Sequence, residues 1–299
     1  MPARDTDLLD PATLSGLGNL SLMAKMAVEG FLSGMHRSLF HGFGTEFLQY
    51  RNYTPGEDLK YLDWKVYARS DRLYTKVYEE ETNMNCYVLL DASASMDYQG
   101  TDAPVSKIQY ARMAAACIAY LAQRQGDNLG LFAYGEHVRE ALEPGHRSGQ
   151  FDRFLKSLVR AKPEGTAAHD ALLNSLSLRL RQRGIVVYIS DMLEAEDSLP
   201  QALAKFRFRH CDVLAIQVLD PDEENLPHPS VSRFQDIESG KEIVAWPEAV
   251  RARYREDMDR FLGKLKKGFS GAQIDYLQVN TRASLGLTIA HYLSRREAR

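Results

Sequence analysis

Five short apolar runs, spaced so that amphipathic stretches fit between them, constrain the fold of this chain more than any other feature. They cover 86–90, 128–134, 185–190, 212–219 and 274–279, and all are rich in Val, Ile, Leu, Phe or Tyr. Runs this short, alternating with helical patterns, predict an open, mostly parallel α/β sheet with helices on both faces. The clearest helix spans 106–125, with Ile108, Ala111, Ala115, Ile118 and Leu121 on one face. Ser106 and Gln109 form a capping box at its start, and Gly126 supplies the stop. Further helices are predicted over 148–160, 168–182, 197–208, 248–266 and 282–295. His137 to Leu142, following a Gly-Glu turn, adds an antiparallel strand.

Two segments depart from the alternation. Residues 1–82 hold one helix, about 11–29, then a Gly-rich stretch and a charged-aromatic block, expected to pack as an N-terminal segment on a main domain of 83–299. Residues 229–246 read as a hairpin insertion, with the turn Glu238-Ser239-Gly240-Lys241 between two apolar strands. The acidic linker Asp220 to Asn225 is expected to be a solvated loop. No internal repeat is present.

Charge and composition narrow the function. Net charge is −3, which leaves no electrostatic footprint for nucleic acid or an anionic membrane. The three cysteines, Cys86, Cys117 and Cys211, lie singly in apolar stretches, which suits a reducing compartment rather than a disulfide scaffold. No apolar run approaches the ~20 residues that cross a bilayer. The first fourteen residues are acidic and polar where a signal peptide is basic and then apolar. A cytoplasmic protein is the expectation.

Polar residues gather where the apolar runs end. Asp91-Ala92-Ser93-Ala94-Ser95 follows the first, Asp191 follows the third, and Thr166 stands in a polar loop entering a helix. Loops beyond the carboxyl ends of parallel strands share one rim, so these residues can meet there. Two carboxylates and three hydroxyls suit a hard divalent ion and lack the thiolate or imidazole of a zinc site. Singly, each has a plainer role: Thr166 as a helix cap, Asp191 as a strand end, Ser93 and Ser95 as turn residues. Their conjunction in this order is what points to a metal.

The pattern D-x-S-x-S, then Thr, then Asp resembles the metal-ion-dependent adhesion site (MIDAS) of von Willebrand factor A domains. Gly126-Asp127-Asn128-Leu129-Gly130-Leu131-Phe132, Gly165-Thr166 and Val186-Val187-Tyr188-Ile189-Ser190-Asp191 resemble that family's next strand, threonine loop and second aspartate strand. The resemblance implies Mg²⁺, or another divalent cation such as Mn²⁺ or Ca²⁺, held by Ser93, Ser95 and Thr166. Asp91 and Asp191 would orient its waters, and a partner's acidic side chain would complete its shell.

A narrower resemblance lies in residues 46–81. Glu46 to Asp58, followed by Lys60, Leu62-Asp63-Trp64-Lys65, Ala68-Arg69 and Lys76 to Glu81, looks like a family associated with MoxR-type AAA+ ATPases, the domain of unknown function numbered fifty-eight. His36-Arg37-Ser38 and Val218-Leu219-Asp220-Pro221 fit it as well. It implies a MoxR-type AAA+ ATPase partner and a chaperone-like role in assembling or activating other proteins. Read from its residues, the block interleaves Arg51, Lys60, Lys65, Arg69 and Lys76 with Glu57, Asp58, Asp63 and Glu79 to Glu81. This near-balance suits an ion-paired clasp, or a docking face.

Enzyme readings find less support. A haloacid-dehalogenase-like phosphatase built on Asp91 would want a second carboxylate two residues later, where Ser93 stands. There is no phosphate-binding G-x-x-x-x-G-K-[ST], no H-E-x-x-H and no G-x-S-x-G elbow. His169 is expected in the first turn of its helix rather than as a ligand. The reading is a non-enzymatic, metal-dependent protein-binding adaptor. Its alternatives are a metal-independent scaffold acting through 46–81 and a metal-dependent phosphohydrolase-like enzyme.

Overall fold

The computed structural model describes residues 10–16, 18–35, 49–52, 66–67, 69, 73–77, 84–180, 182–193, 198–227, 231–238 and 240–297. Most of the 46–81 block, including Lys60, Asp63, Trp64 and Lys65, lies outside the described residues. Its contacts divide the chain into two units: Met1–Gly34 with Met84–Arg299, and Met35–Asn83. Within the second, β1 (Gln49–Asn52) and β2 (Tyr74–Val77) pair antiparallel, Gln49 opposite Val77.

The first unit is built on six strands: β3 (Asn85–Asp91), β4 (Asn128–Tyr134), β5 (Val138–Gly145), β6 (Gly184–Ser190), β7 (Cys211–Leu219) and β10 (Asp275–Asn280). Their order is β10-β7-β6-β3-β4-β5, with every pair parallel except β4 with β5. All five apolar runs are strands, and the added antiparallel strand is β5. From β3 the chain builds one way through β4 and β5, then returns to β6 and builds the other way. The order therefore reverses between β3 and β6, and it is beyond the carboxyl ends at such a reversal that open α/β sheets bind ligands.

Alternation along the strands sends side chains into two cores. On one face Cys86, Val88, Leu90, Ile185, Val187 and Ile189 pack with α3 (Lys107–Arg124), α4 (Gln150–Arg160) and α9 (Leu285–Glu297). The helices α1 (Pro11–Ser15) and α2 (Leu20–Met35) share this core through Leu14, Met23, Ala24, Ala27 and Val28. They stand where one helix over 11–29 was expected, with Gly16 and Gly18 between them. On the opposite face Tyr87, Leu89, Tyr134, Val186 and Tyr188 meet α5 (His169–Arg179), α6 (Leu199–Arg207) and Phe269 of α8 (Pro247–Gly271). The capping box of Ser106 and Gln109 is present, and Gly126 takes a left-handed φ of +77°.

The hairpin forms from β8 (Ser232–Gln235) and β9 (Glu242–Ala245). One expectation fails. The acidic linker is not a solvated loop but a short helix, α7 (Pro221–Asn225), with Asp220 and Asp222 both buried. Asp220 caps it and Glu223 closes a capping box on the Asp220 N–H. Distant donors make that burial tolerable: the Gly100 N–H reaches Asp220 at 2.9 Å, and the Tyr98 hydroxyl and Thr101 N–H reach Asp222.

Candidate functional site

The two sheet faces determine what each aspartate meets. Asp91 continues the parity of Tyr87 and Leu89, and Ser190 that of Val186 and Tyr188, so both turn to the α5 face. There the Ser190 hydroxyl donates to Asp91 Oδ2 at 2.7 Å, and the Ser93 N–H donates to Oδ1 at 2.9 Å. His169, the first residue of α5, places Nε2 3.8 Å from Asp91 Oδ2. Behind it the Tyr134 hydroxyl donates to Tyr188 at 2.8 Å, and both phenols lie within hydrogen-bond distance of His169 Nδ1. Asp191 has the opposite parity, that of Val187 and Ile189, and turns to the α3 face. Met192 follows it at φ +60°, a left-handed turn rare for a bulky side chain.

On the α3 face Asp191 meets Lys107, a residue whose role the sequence reading missed. Lys107 is fully buried at the first position of α3, with Nζ 2.8 Å from Asp191 Oδ2 and 2.5 Å from Glu223 Oε1. A local signal existed: a lysine directly after a helix N-cap opposes the helix dipole and needs acids to hold it. The acids come from the residue just after β6 and from α7, 84 and 116 residues away.

The loop between β3 and α3 bridges the two faces. Ser93 is buried at the start of a short 3₁₀ turn, Ala94–Asp97, and its hydroxyl lies 3.1 Å from that of Ser95. The Ser95 side chain also helps to hold the Asp191 carboxyl down, which places the two near one another. Asp91, Ser93 and Ser95 are thus linked by hydrogen bonds, and Asp191 stands beside them. The threonine loop is laced to it through the backbone: the Ala94 N–H donates to Gly165 C=O and the Glu164 N–H to Ala92 C=O. Arg139 tightens that junction by donating to the carbonyls of Ala92 and Lys162. Thr166 itself is exposed, and its hydroxyl donates to Glu136 Oε1 at 3.3 Å. It is not the helix cap, since Ala168 holds the N-cap position of α5 and makes no side-chain cap there.

Charge is unevenly distributed here. Burial, with repulsion from Asp191, pushes the Asp91 carboxyl above its ordinary value against the pull of His169. Burial also works on Asp191, but the Lys107 ammonium outweighs it and holds that carboxyl below its ordinary value. Glu223 is raised by burial despite Lys107. Among the described residues, no three His, Cys, Asp or Glu side chains group as a metal site. The available donor set is two carboxylates and the paired serine hydroxyls. That set fits a hard divalent ion, because Asp91 is a buried acid whose charge lacks a full counter-ion.

Comparison with known proteins agrees with this architecture. The chain is 32% identical to the uncharacterized protein Mb1516 of Mycobacterium bovis over 239 residues, 78% of this chain and 74% of that one. The crystal structure of BatB from Bacteroides thetaiotaomicron superposes with a TM-score of 0.51 at 16% identity, over 72% of this chain and all of that one, a likeness of fold. The SpRpn10 VWA domain gives a TM-score of 0.43 at 13% identity, over 70% of this chain and 95% of that one. The fold is an open, mostly parallel α/β sheet flanked by helices, and residues 49–261 match the family described as protein of unknown function DUF58, so the chain belongs to that family.

Proposed function

We propose that this protein is a metal-dependent protein-binding adaptor. Asp91, Ser93, Ser95 and Asp191 hold a divalent cation, Mg²⁺ or a similar hard ion, and Thr166 joins them from its tethered loop. When bound, the ion supplies an electron-poor centre with room for a carboxylate oxygen. The chain's own residues do the rest. Ser190 and the Ser93 N–H fix the Asp91 carboxylate, and Lys107 fixes Asp191. The backbone lacing of Ala94 to Gly165 keeps the threonine loop beside the serines. The observation that carries the reading is the hydroxyl pair of Ser93 and Ser95, 3.1 Å apart and beside two buried aspartates at the sheet's reversal point.

The partner carboxylate would come from another protein, and the MoxR-type AAA+ ATPase is the partner proposed, in chaperone-like assembly or activation of client proteins. Co-expression with such an ATPase from the same genome tests this. The wild type should retain the ATPase through purification in Mg²⁺ and lose it in chelator, and Ser93→Ala/Ser95→Ala should not retain it. Full retention by the double variant, or in chelator, contradicts the reading.

A further inference from the structure

A groove of about 420 Å³ opens beside this cluster, between the β8–β9 hairpin, α7 and α8. Its volume falls within the roughly 300–1,000 Å³ typical of binding clefts. Leu226, Phe234, Ile243, Val250 and Tyr254 make its apolar lining. Several of these remain in contact with solvent: Ile243 is 65% exposed and Val250 42%, and Ile237, also on the groove, is 48% exposed. A two-stranded hairpin is marginally stable alone, so an apolar surface left open on one marks an interaction site.

The lining is also charged in one sense. Asp222, Glu223 and Asp236 line it, and among the described residues no lysine or arginine does. Lys107, which touches Glu223, is fully buried and shared with Asp191. Arg251 marks one edge, its Nε donating to the Leu226 carbonyl at 3.0 Å. Asp236 is the exposed acid of the three, at the hairpin turn.

We propose that this groove docks a polypeptide segment of a partner protein carrying a lysine or arginine beside a large aliphatic or aromatic side chain. The apolar side chain enters between Phe234, Ile243 and Val250, and the cationic one meets Asp236, away from Arg251. Charge complementarity at the exposed Asp236 selects that partner over an acidic segment, while Asp222 is buried under its donors and Glu223 is paired with Lys107. Ser95 lines this groove as well, so the two sites adjoin, but docking here needs no metal and its ligand has the opposite charge.

Fluorescence anisotropy on the full chain tests it, with labelled peptides Gly-Ser-Lys-Leu-Phe-Ser-Gly and Gly-Ser-Glu-Leu-Phe-Ser-Gly as probes. The lysine peptide should bind in chelator as well as in Mg²⁺ and weaken with added salt. Asp236→Lys and Ile243→Ser should each weaken it by about tenfold or more, and Asp236→Lys should reverse the preference to the glutamate peptide. Both changes are at exposed positions, and unchanged melting of each variant verifies folding. Equal affinity of the two peptides for the wild type, or no loss in either variant, overturns the proposal. So does an Ile243-dependent dimer in sedimentation without peptide binding, which would seat a second copy there. Loss of binding in chelator would assign the peptide to the cation cluster instead.

Discussion

At the scale of single residues, Lys107 bears the heaviest electrostatic load. A fully buried ammonium at a helix N-terminus is disfavoured by burial and by the dipole, and its two carboxylates offset both. Lys107→Met leaves Asp191 and Glu223 buried without their cation, and should cost about 3–5 kcal/mol in denaturant unfolding without metal. Adding Asp191→Asn removes one orphaned charge and should recover part of that loss. A double variant no more stable than the single one would contradict the pairing. The same Lys107→Met change should tighten Mg²⁺ binding, since a competing positive charge leaves the cluster. The two aspartates titrate in opposite senses. Asp191, depressed when folded, contributes stability above its usual 3.8 that is lost as pH falls through its folded value. Asp91, raised when folded, is best tolerated when protonated, below 3.8, and costs stability as pH rises through its folded value. Stabilisation by Mg²⁺ should therefore be largest at neutral pH and fade on acidification as Asp91 takes up a proton. Thermal melts with and without Mg²⁺ from pH 4 to 8 check this, and a pH-independent Mg²⁺ shift would count against Asp91 as a ligand. These environments were only partly legible in the sequence. The D-x-S-x-S spacing marked Asp91, Ser93 and Ser95, but nothing near Lys107 named partners that fold back from 84 and 116 residues away.

At the scale of elements, the reversal between β3 and β6 depends on close backbone approach. A Cβ on Gly184 would stand 2.1 Å from the Asn85 carbonyl oxygen, a backbone atom with little freedom to move. Gly184→Ala should therefore destabilise by at least the 1–3 kcal/mol typical of overpacking, read from its melting curve. A neutral result would refute the register of β3 on β6. Ser106→Ala should cost about 1 kcal/mol by removing the capping box of α3. Strands and long helices were legible because burial on both faces leaves continuous apolar runs and periodic stripes. The α7 helix was misread although Pro221 at its first turn and Asp220 and Glu223 at capping positions were all visible. Its density of acids suggested solvent, and the donors that bury them, from Tyr98, Gly100 and Thr101, belong to another loop.

At the scale of the whole molecule, one sheet supplies both the rim and the two separated faces beneath it. That division explains why two aspartates at the ends of adjacent strands meet different helices while serines on one loop join them. Sequence order carried the fold class, since within the six-stranded sheet β5 alone runs antiparallel and its other strands need crossovers. The groove was not legible, because its walls come from the rim loop, α7, the hairpin and α8 together. Among the described residues no helix is long and apolar enough to cross a membrane. The central claim concerns the rim, and isothermal titration of the chelator-treated full chain with Mg²⁺ tests it most directly. Saturable binding of one ion per chain is predicted, weakened by about tenfold or more in Ser93→Ala/Ser95→Ala. No heat from Mg²⁺, Mn²⁺ or Ca²⁺, or equal affinity in wild type and double variant, would contradict it.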